Sequence, residues 1–491
     1  MLQADFNGFI YENVYPLGNN IDPIDIAVGD FNNDGILDIA IISNNNVSNN
    51  ASLSVYLGNG DGTFYEMYTG DIPSFVASSL VVGQFTQEYD DYLSIVVAGY
   101  SITNTDGAIV PFIGTGYGTF TQESLLVIPA SQGLNGIAFG KFDLTETPCI
   151  RSHRQHVLDT HAYNNLAVTA SGGHIYILPG DGDGGFTIGA SYSAGETPVG
   201  IATGVLTDSG NLDIVVANSA DSTISILFGN GDGTFQHQIK IGVPNYPINI
   251  ILADVNCDGI LDIIAGGEST NSCPVGLFIG NPISVLIGDG AGNFQLTPSA
   301  FSTTENLPIG PGLAAGHFFS SRNKSPRQDH CAIDLAITVG DNLQILKGCC
   351  NGTFEITDVI YTTGGSPVAI ATGDFTGNGL VDFAVVNELG SSFTVLIQNV
   401  SAPDLKGKSI KTKFLSQTEY TNELYWNSSK DSSVVGYYLY RDGKRIATIS
   451  AGSPLEYSDY YRRPGVHYLY ELRSFNGAKQ ESAPSCLILT P

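Results

Sequence analysis

The feature that most constrains this chain is an internal repeat. An apolar stretch, a Gly-x-Phe-like turn, a stretch such as Leu37-Asp-Ile-Ala-Ile41, another such as Leu53-Ser-Val-Tyr-Leu57, and a closing Gly-Asn-Gly-Asp-Gly-Thr-Phe turn recur in that order. The first turns of seven copies begin at Gly29, Gly83, Gly140, Gly204, Ala253, Gly316 and Gly373, so successive spacings are 54, 57, 64, 49, 63 and 57 residues. A unit of this length with period-two alternation holds four short strands, and such units stack so that each covers its neighbour's apolar face. Closing turns run from Gly58, Gly114, Gly180, Gly229, Gly288 and Gly348 to a Phe six residues on, and the seventh copy lacks one. The missing piece stands at the other end of the chain, where Asn7, Gly8 and Phe9 precede a strand-like run to Gly18. The expected fold is therefore all-β, a seven-bladed β-propeller over residues 1–400 whose last blade takes its outer strand from the N-terminus.

Charge marks the domain boundary. Residues 401–491 hold 12 Lys and Arg against 9 Asp and Glu, a net of +3; the whole chain holds 20 against 48, so the first 400 residues hold 8 against 39, a net of −31. Such an acidic surface repels polyanions and argues against nucleic acid as a partner. No apolar run of spanning length occurs, and Met1 to Asp5 has neither the basic nor the apolar region of a signal peptide, so neither a transmembrane segment nor a leader is expected in the chain as given. Residues 404–491 carry strand-like runs at 423–426, 436–441, 445–449 and 467–473, with Asp442 and Gly443 as a hairpin turn, which suits a seven-stranded sandwich.

The sharpest chemical signal lies between the first and second strands. In the first copy Asp30, Asn32, Asp34 and Asp38 place oxygens at positions 1, 3, 5 and 9, with Gly35 at the sharp turn and the Ile36 carbonyl available at position 7. A hard dication wants six to eight oxygens, and such a loop wraps its own around one Ca²⁺. The fifth copy repeats the set as Asp254, Asn256, Asp258, Ile260 and Asp262, and the seventh in altered form as Asp374, Thr376, Asn378, Leu380 and Asp382. About three calcium sites are expected. Copy four has Val205 at position 1 and Ser209 at position 5, and copies two, three and six depart further around Gln84, Lys141 and His317, so no ion is expected there.

At these residues the chain resembles the FG-GAP repeat of the integrin α-subunit propeller and related secreted repeat proteins. The resemblance implies that the calcium loops lie on the lower face and that ligands approach the upper face. Upper-face candidates are then Phe75, Tyr100, Asn104, Asp106, Tyr246 and the segment 268–281. Trp426 on an early strand and Tyr470, Leu472, Ser474 and Asn476 on a late one resemble a fibronectin type III domain, which makes Trp426 a core residue and Tyr470 the corner tyrosine.

Two insertions interrupt the repeats. Residues 146–164 contain His153, His156, Asp159 and His161, a set with zinc-like spacing, but Arg151 and Arg154 oppose a cation and a solvated loop is expected; the same holds for residues 322–330. Of seven cysteines, Cys257, Cys331, Cys349 and Cys350 map to lower-face turns, where two readings stand: Cys331 pairs with Cys349 or Cys350, or these are free buried thiols. No catalytic motif is found. The function expected is a non-enzymatic, monomeric, secreted or cell-surface protein that binds calcium and recognises an extracellular protein or glycan. A polysaccharide-binding lectin or a polysaccharide lyase is the alternative, the latter disfavoured by the scarcity of cations in the first 400 residues.

Overall fold

The computed structural model describes residues 9–86, 92–129, 131–143, 164–269, 283–297, 309–318, 333–377, 379–398, 405–413, 418–428, 434–476, 482 and 485–491. Their regular structure is all β-strand. Seven antiparallel sheets follow the seven repeats, each taken in chain order from its first strand outward. The first sheet comprises Ile21–Gly29, Asp38–Asn45, Asn50–Gly58 and Phe64–Ile72. Sheets two to six repeat this order, and sheet two adds a short strand, Phe120–Gln122, on its third strand. The seventh sheet is built from Pro367–Gly373, Asp382–Asn387 and Ser392–Gln398, and its fourth place is taken by Phe9–Pro16 from the other end of the chain. That strand runs antiparallel to the third, with Tyr11 opposite Ile397 and Pro16 opposite Ser392.

The middle strands are continuous apolar runs because both faces of each sheet are covered. Ile39 to Ile42 and Ile214 to Ala217 are all at 0% exposure. The apolar side chains fall into seven clusters, each shared by two consecutive sheets: one joins sheets one and two through Leu53 and Phe112, and another joins seven and one through Phe393 and Ile41. First strands contact one another in the same series, from one-two through six-seven, and the first strand of sheet seven also packs on that of sheet one.

The two recurring aromatic turns explain one another. The closing-turn Phe of one sheet sits edge-on to the first-turn Phe of the sheet before it: Phe120 on Phe31, Phe186 on Phe85, Phe235 on Phe142 and Phe64 on Phe375, at centroid distances of 5.2 to 5.7 Å. The backbone joins as well, since Gly118 N–H donates to the Phe31 carbonyl at 3.0 Å. Gly118 has φ of +74°, and a Cβ there would stand 2.9 Å from Leu57, so the closing turn needs glycine at that position.

Residues from 405 onward form a three-stranded sheet (Lys406–Lys413, Thr418–Tyr425, Glu456–Asp459) and a four-stranded one (Lys444–Ser450, Val434–Arg441, Tyr468–Asn476, Ser485–Leu489). Trp426 is buried against Tyr437, as a core residue should be. Tyr470 departs from the expected corner. Its hydroxyl donates to Asp459 Oδ2 at 2.5 Å and accepts from Asn422 Nδ2 at 3.0 Å, because Arg441 fixes the buried Asp459 carboxylate within reach, at 2.9 and 3.0 Å from its two oxygens.

Candidate functional site: the turns between first and second strands

In the first sheet the loop folds on its own carboxylates. Asp30 accepts the N–H groups of Asp34 (3.1 Å, Oδ1) and Gly35 (2.8 Å, Oδ2); Asn32 Oδ1 accepts Asp34 N–H at 3.1 Å; Asp34 Oδ1 accepts Ile36 N–H at 2.8 Å. Such short-range bonds are why Asx residues favour turns. Gly35, with φ of +83°, lets the chain reverse between positions 5 and 7.

The fifth loop reproduces this network. Asp254 accepts from Asp258 at 3.1 Å and Gly259 at 2.8 Å, Asn256 from Asp258 at 3.1 Å, and Asp258 from Ile260 at 2.8 Å. It adds a 2.6 Å bond from Cys257 N–H to Asp254. The seventh keeps Gly379 N–H on Asp374 Oδ2 at 2.7 Å, while Thr376 donates its N–H at 3.3 Å and its hydroxyl at 3.4 Å to Asp374 Oδ1. Asn378 lies outside the described residues.

Position 9 has a second role that the ligand pattern conceals. Asp38 is wholly buried and accepts Phe31 N–H at 2.8 Å and Gly58 N–H at 2.9 Å, so it ties the first turn to the end of the third strand. Asp262 does the same for Val255 and Gly288, and Asp382 for Phe375 and Gln398. The strut persists in copies that lack the full expected set of the other loop oxygens: Asp213 holds Leu206 and Gly229, and Asp334 holds Phe318 and Gly348. In sheets two and three, Ser94 and Asn165 keep half of it, accepting Gly114 and Gly180 N–H respectively. The Leu212-Asp213 and Ile333-Asp334 pairs, standing in copies without a ligand set, are the sequence signal for this role.

The electrostatics separate the loops. Burial pushes the Asp38 carboxyl up to about 6 against two backbone hydrogen bonds, with the Asp34 and Asp30 charges adding to the rise. Asp262 is raised by burial, with Asp258 and Asp254 adding, and Asp382 well raised by burial, with Asp374 adding. Asp213 is raised by burial with no acidic neighbour contributing. Among the described residues no Lys or Arg pairs with the carboxylates of loops one and five.

By residue type this donor set suits a hard cation: oxygens at positions 1, 3, 5, 7 and 9, with no Lys or Arg pairing with loops one and five among the described residues. Among the described residues no three His, Cys, Asp or Glu side chains are grouped as around an ion, and the Asn32 and Asn256 amides donate to Asp34 and Asp258 at 2.8 Å. A bound ion would take the amide oxygens instead. Asp30, Asn32, Asp34, Asp38 and the Ile36 carbonyl would hold it in the first loop, and Asp254, Asn256, Asp258, Asp262 and the Ile260 carbonyl in the fifth. Asp374, Thr376, Asp382 and the Leu380 carbonyl are the corresponding described residues of the seventh.

The upper-face candidates divide. Phe75 is a correction: at 0% exposure it fills the core between sheets one and two, because the first strand of sheet two begins at this residue and turns it inward. Asn104 is exposed and donates to Asp106 at 2.9 Å in the hairpin that also carries the half-buried Tyr100. Tyr246, 40% exposed, stands in the fifth sheet, three sheets on, and is not part of that hairpin. Residues 270–281 of the proposed segment, and His153, His156, Asp159 and His161 with the rest of 146–163 and 322–330, lie outside the described residues. Of the two cysteine readings, the pairing is the one corrected. Cys349 and Cys350 are both thiols, so neither bridges to Cys331, whereas Cys257 is disulfide-bonded.

Residues 206–265, which run from the fourth loop through the fifth and its second strand, match the FG-GAP-like repeat family. No curated protein matches the chain. Among solved structures it is similar to BBS1N, crystallised in complex with ARL6DN, at 12% identity and a TM-score of 0.48 over 80% of this chain and 96% of that one. It is also similar to a functionally unknown protein from Desulfotomaculum acetoxidans (13%, TM-score 0.44, 73% and 99%) and to AofleA from Arthrobotrys oligospora (10%, 0.37, 72% and 89%). These are likenesses of architecture alone.

Proposed function

We propose that the chain is a non-enzymatic, secreted or cell-surface recognition protein whose seven sheets close into a calcium-stiffened β-propeller of the FG-GAP, integrin-like kind. The observation that carries the calcium reading is the recurrence, bond for bond, of the Asp30–Ile36 network in Asp254–Ile260, with a buried position-9 carboxylate beneath each. Ordinary Asx turns do not require four oxygens in register at two places 224 residues apart, the distance from Asp30 to Asp254. When bound, Ca²⁺ neutralises these carboxylates and cross-links the turn.

Closure is supported by the cyclic series of inter-sheet clusters and by Phe9–Pro16 completing the seventh sheet. The three-plus-four strand arrangement with a buried Trp426 supports a fibronectin type III-like domain as a spacer or second contact. The disulfide at Cys257 favours an oxidising compartment, in keeping with the secreted reading. Recognition is assigned to the upper face around Tyr100, Asn104, Asp106 and Tyr246, with an extracellular protein or glycan as ligand. Array screening of the full chain against extracellular-matrix proteins and glycans, with calcium and with chelator, tests this. A calcium-dependent hit lost on Asn104→Ala or Tyr246→Ala agrees with it, and the absence of any hit speaks against it.

A further inference from the structure

The fourth loop, the one whose ligand set has decayed by the loss of its first carboxylate, borders a groove of 640 Å³ shared with the closing turn of the fifth sheet. Asp208 N–H donates to the Gly290 carbonyl at 3.0 Å and joins the two walls. The volume lies within the 300–1,000 Å³ common for small-ligand sites.

The lining defines the ligand by its chemistry. Asp208, Asn211, Asn230, Gln236 and Asn293 present polar groups around the half-buried ring of Phe228. Three amides use one of their two N–H donors within the protein: Asn211 Nδ2 donates to the Gly229 carbonyl (3.1 Å), Asn230 Nδ2 to Thr234 (2.9 Å) and Asn293 Nδ2 to Asp289 (2.8 Å). Their Oδ1 atoms, the Asp208 carboxylate and the whole Gln236 amide have no side-chain partner among the described residues. The groove is thus rich in acceptors, with one carboxylate and no Lys, Arg or His in its lining. An anion finds no counter-charge there. A metal ion finds the oxygens spread along a groove, with one charge among them, and loop four has Val205 and Ser209 where loops one and five have Asp. A ligand with several hydroxyl donors and one apolar face suits it, since each O–H can take one acceptor while C–H groups cover Phe228 and the exposed Ile239.

We propose that this groove is a binding site for a neutral saccharide, formed between the fourth and fifth sheets and independent of calcium. It is distinct from the upper-face recognition proposed above, and neither depends on the other.

Saturation-transfer NMR on the full chain in EDTA, with the methyl glycosides of glucose, galactose, mannose, fucose and N-acetylglucosamine as probes, tests it. At least one neutral glycoside should receive saturation, and Asp208→Ala and Gln236→Ala should each weaken its binding at least tenfold. Both side chains are exposed, so the variants should melt with the parent. Glucuronic acid, an anion, should bind less well than glucose. No transfer to any of the five glycosides, or transfer that survives both substitutions, overturns the proposal. Binding that disappears in EDTA and returns with calcium overturns its independence of the metal loops, whereas chelation of loops one, five and seven without effect on it agrees.

Discussion

Replacing Asp213 by Ala isolates the strut from the metal. Asp213 sits in a copy expected to hold no ion, is wholly buried, and accepts Leu206 N–H at 3.0 Å and Gly229 N–H at 2.9 Å. Alanine removes both acceptors and leaves two buried backbone donors without partners, and a buried donor left unsatisfied costs about 1–3 kcal/mol, so the two together cost about 2–6 kcal/mol. Part is returned because the variant no longer buries a carboxylate whose ionisation is disfavoured by burial. The net expectation is a loss of at least about 2 kcal/mol, which is a large fraction of ordinary protein stability. Urea unfolding followed by far-ultraviolet circular dichroism, run at fixed calcium, measures it, and total bound calcium should not change. A midpoint shift equivalent to less than about 1 kcal/mol would refute the reasoning, because it would mean that these N–H groups find other partners at little cost.

Asp213 also has a pH signature. Its folded-state carboxyl is raised above its unfolded value, so in the window above the usual 3.8 the native state holds the proton more tightly. Stability from this group therefore rises as pH falls through the raised folded-state value toward 3.8, and the wild type should gain on Asp213→Asn over that fall in parallel urea titrations. Gly118→Ala places a methyl 2.9 Å from Leu57 at a φ of +74° and should lower the unfolding midpoint by more than about 1 kcal/mol. Chelation should lower the melting temperature, because a ligand at a hundredfold excess over Kd stabilises by about 2.7 kcal/mol per site. Calorimetry with and without EDTA reads this, and an unmoved transition counts against calcium.

The repeat made most of the fold legible. Gly29 to Asp38 and its six counterparts fixed where first strands end and second strands begin, and the copy that stopped at Asn399 pointed to Phe9–Pro16 as the strand that completes it. The site was legible only in part, for a physical reason. A carboxylate that ligates an ion and one that accepts two backbone N–H groups are the same letter, so Asp38 and Asp262 read as ligands while their structural role showed only beside Asp213 and Asp334. Phe75 read as a surface aromatic because it follows a connection, yet strand alternation points it into the core. Cysteine pairing depends on distances in the folded chain, which spacing along the sequence does not encode. The groove beside loop four has no motif at all: Asp208 and Asn211, Asn230 and Gln236, and Asn293 come from three separate turns.

Metal content of the purified chain and of three variants tests the calcium assignment most directly. Asp34 and Asp258 stand at position 5 of the two complete loops, and losing either carboxylate leaves an ion with too few charged oxygens. Ser209 holds the same position in the loop that begins with Val205. The expected result is about three calcium ions per wild-type chain, one fewer in Asp34→Ala, one fewer in Asp258→Ala, and no change in Ser209→Ala. Equal calcium in all four proteins would contradict it and reduce these loops to ordinary Asx turns.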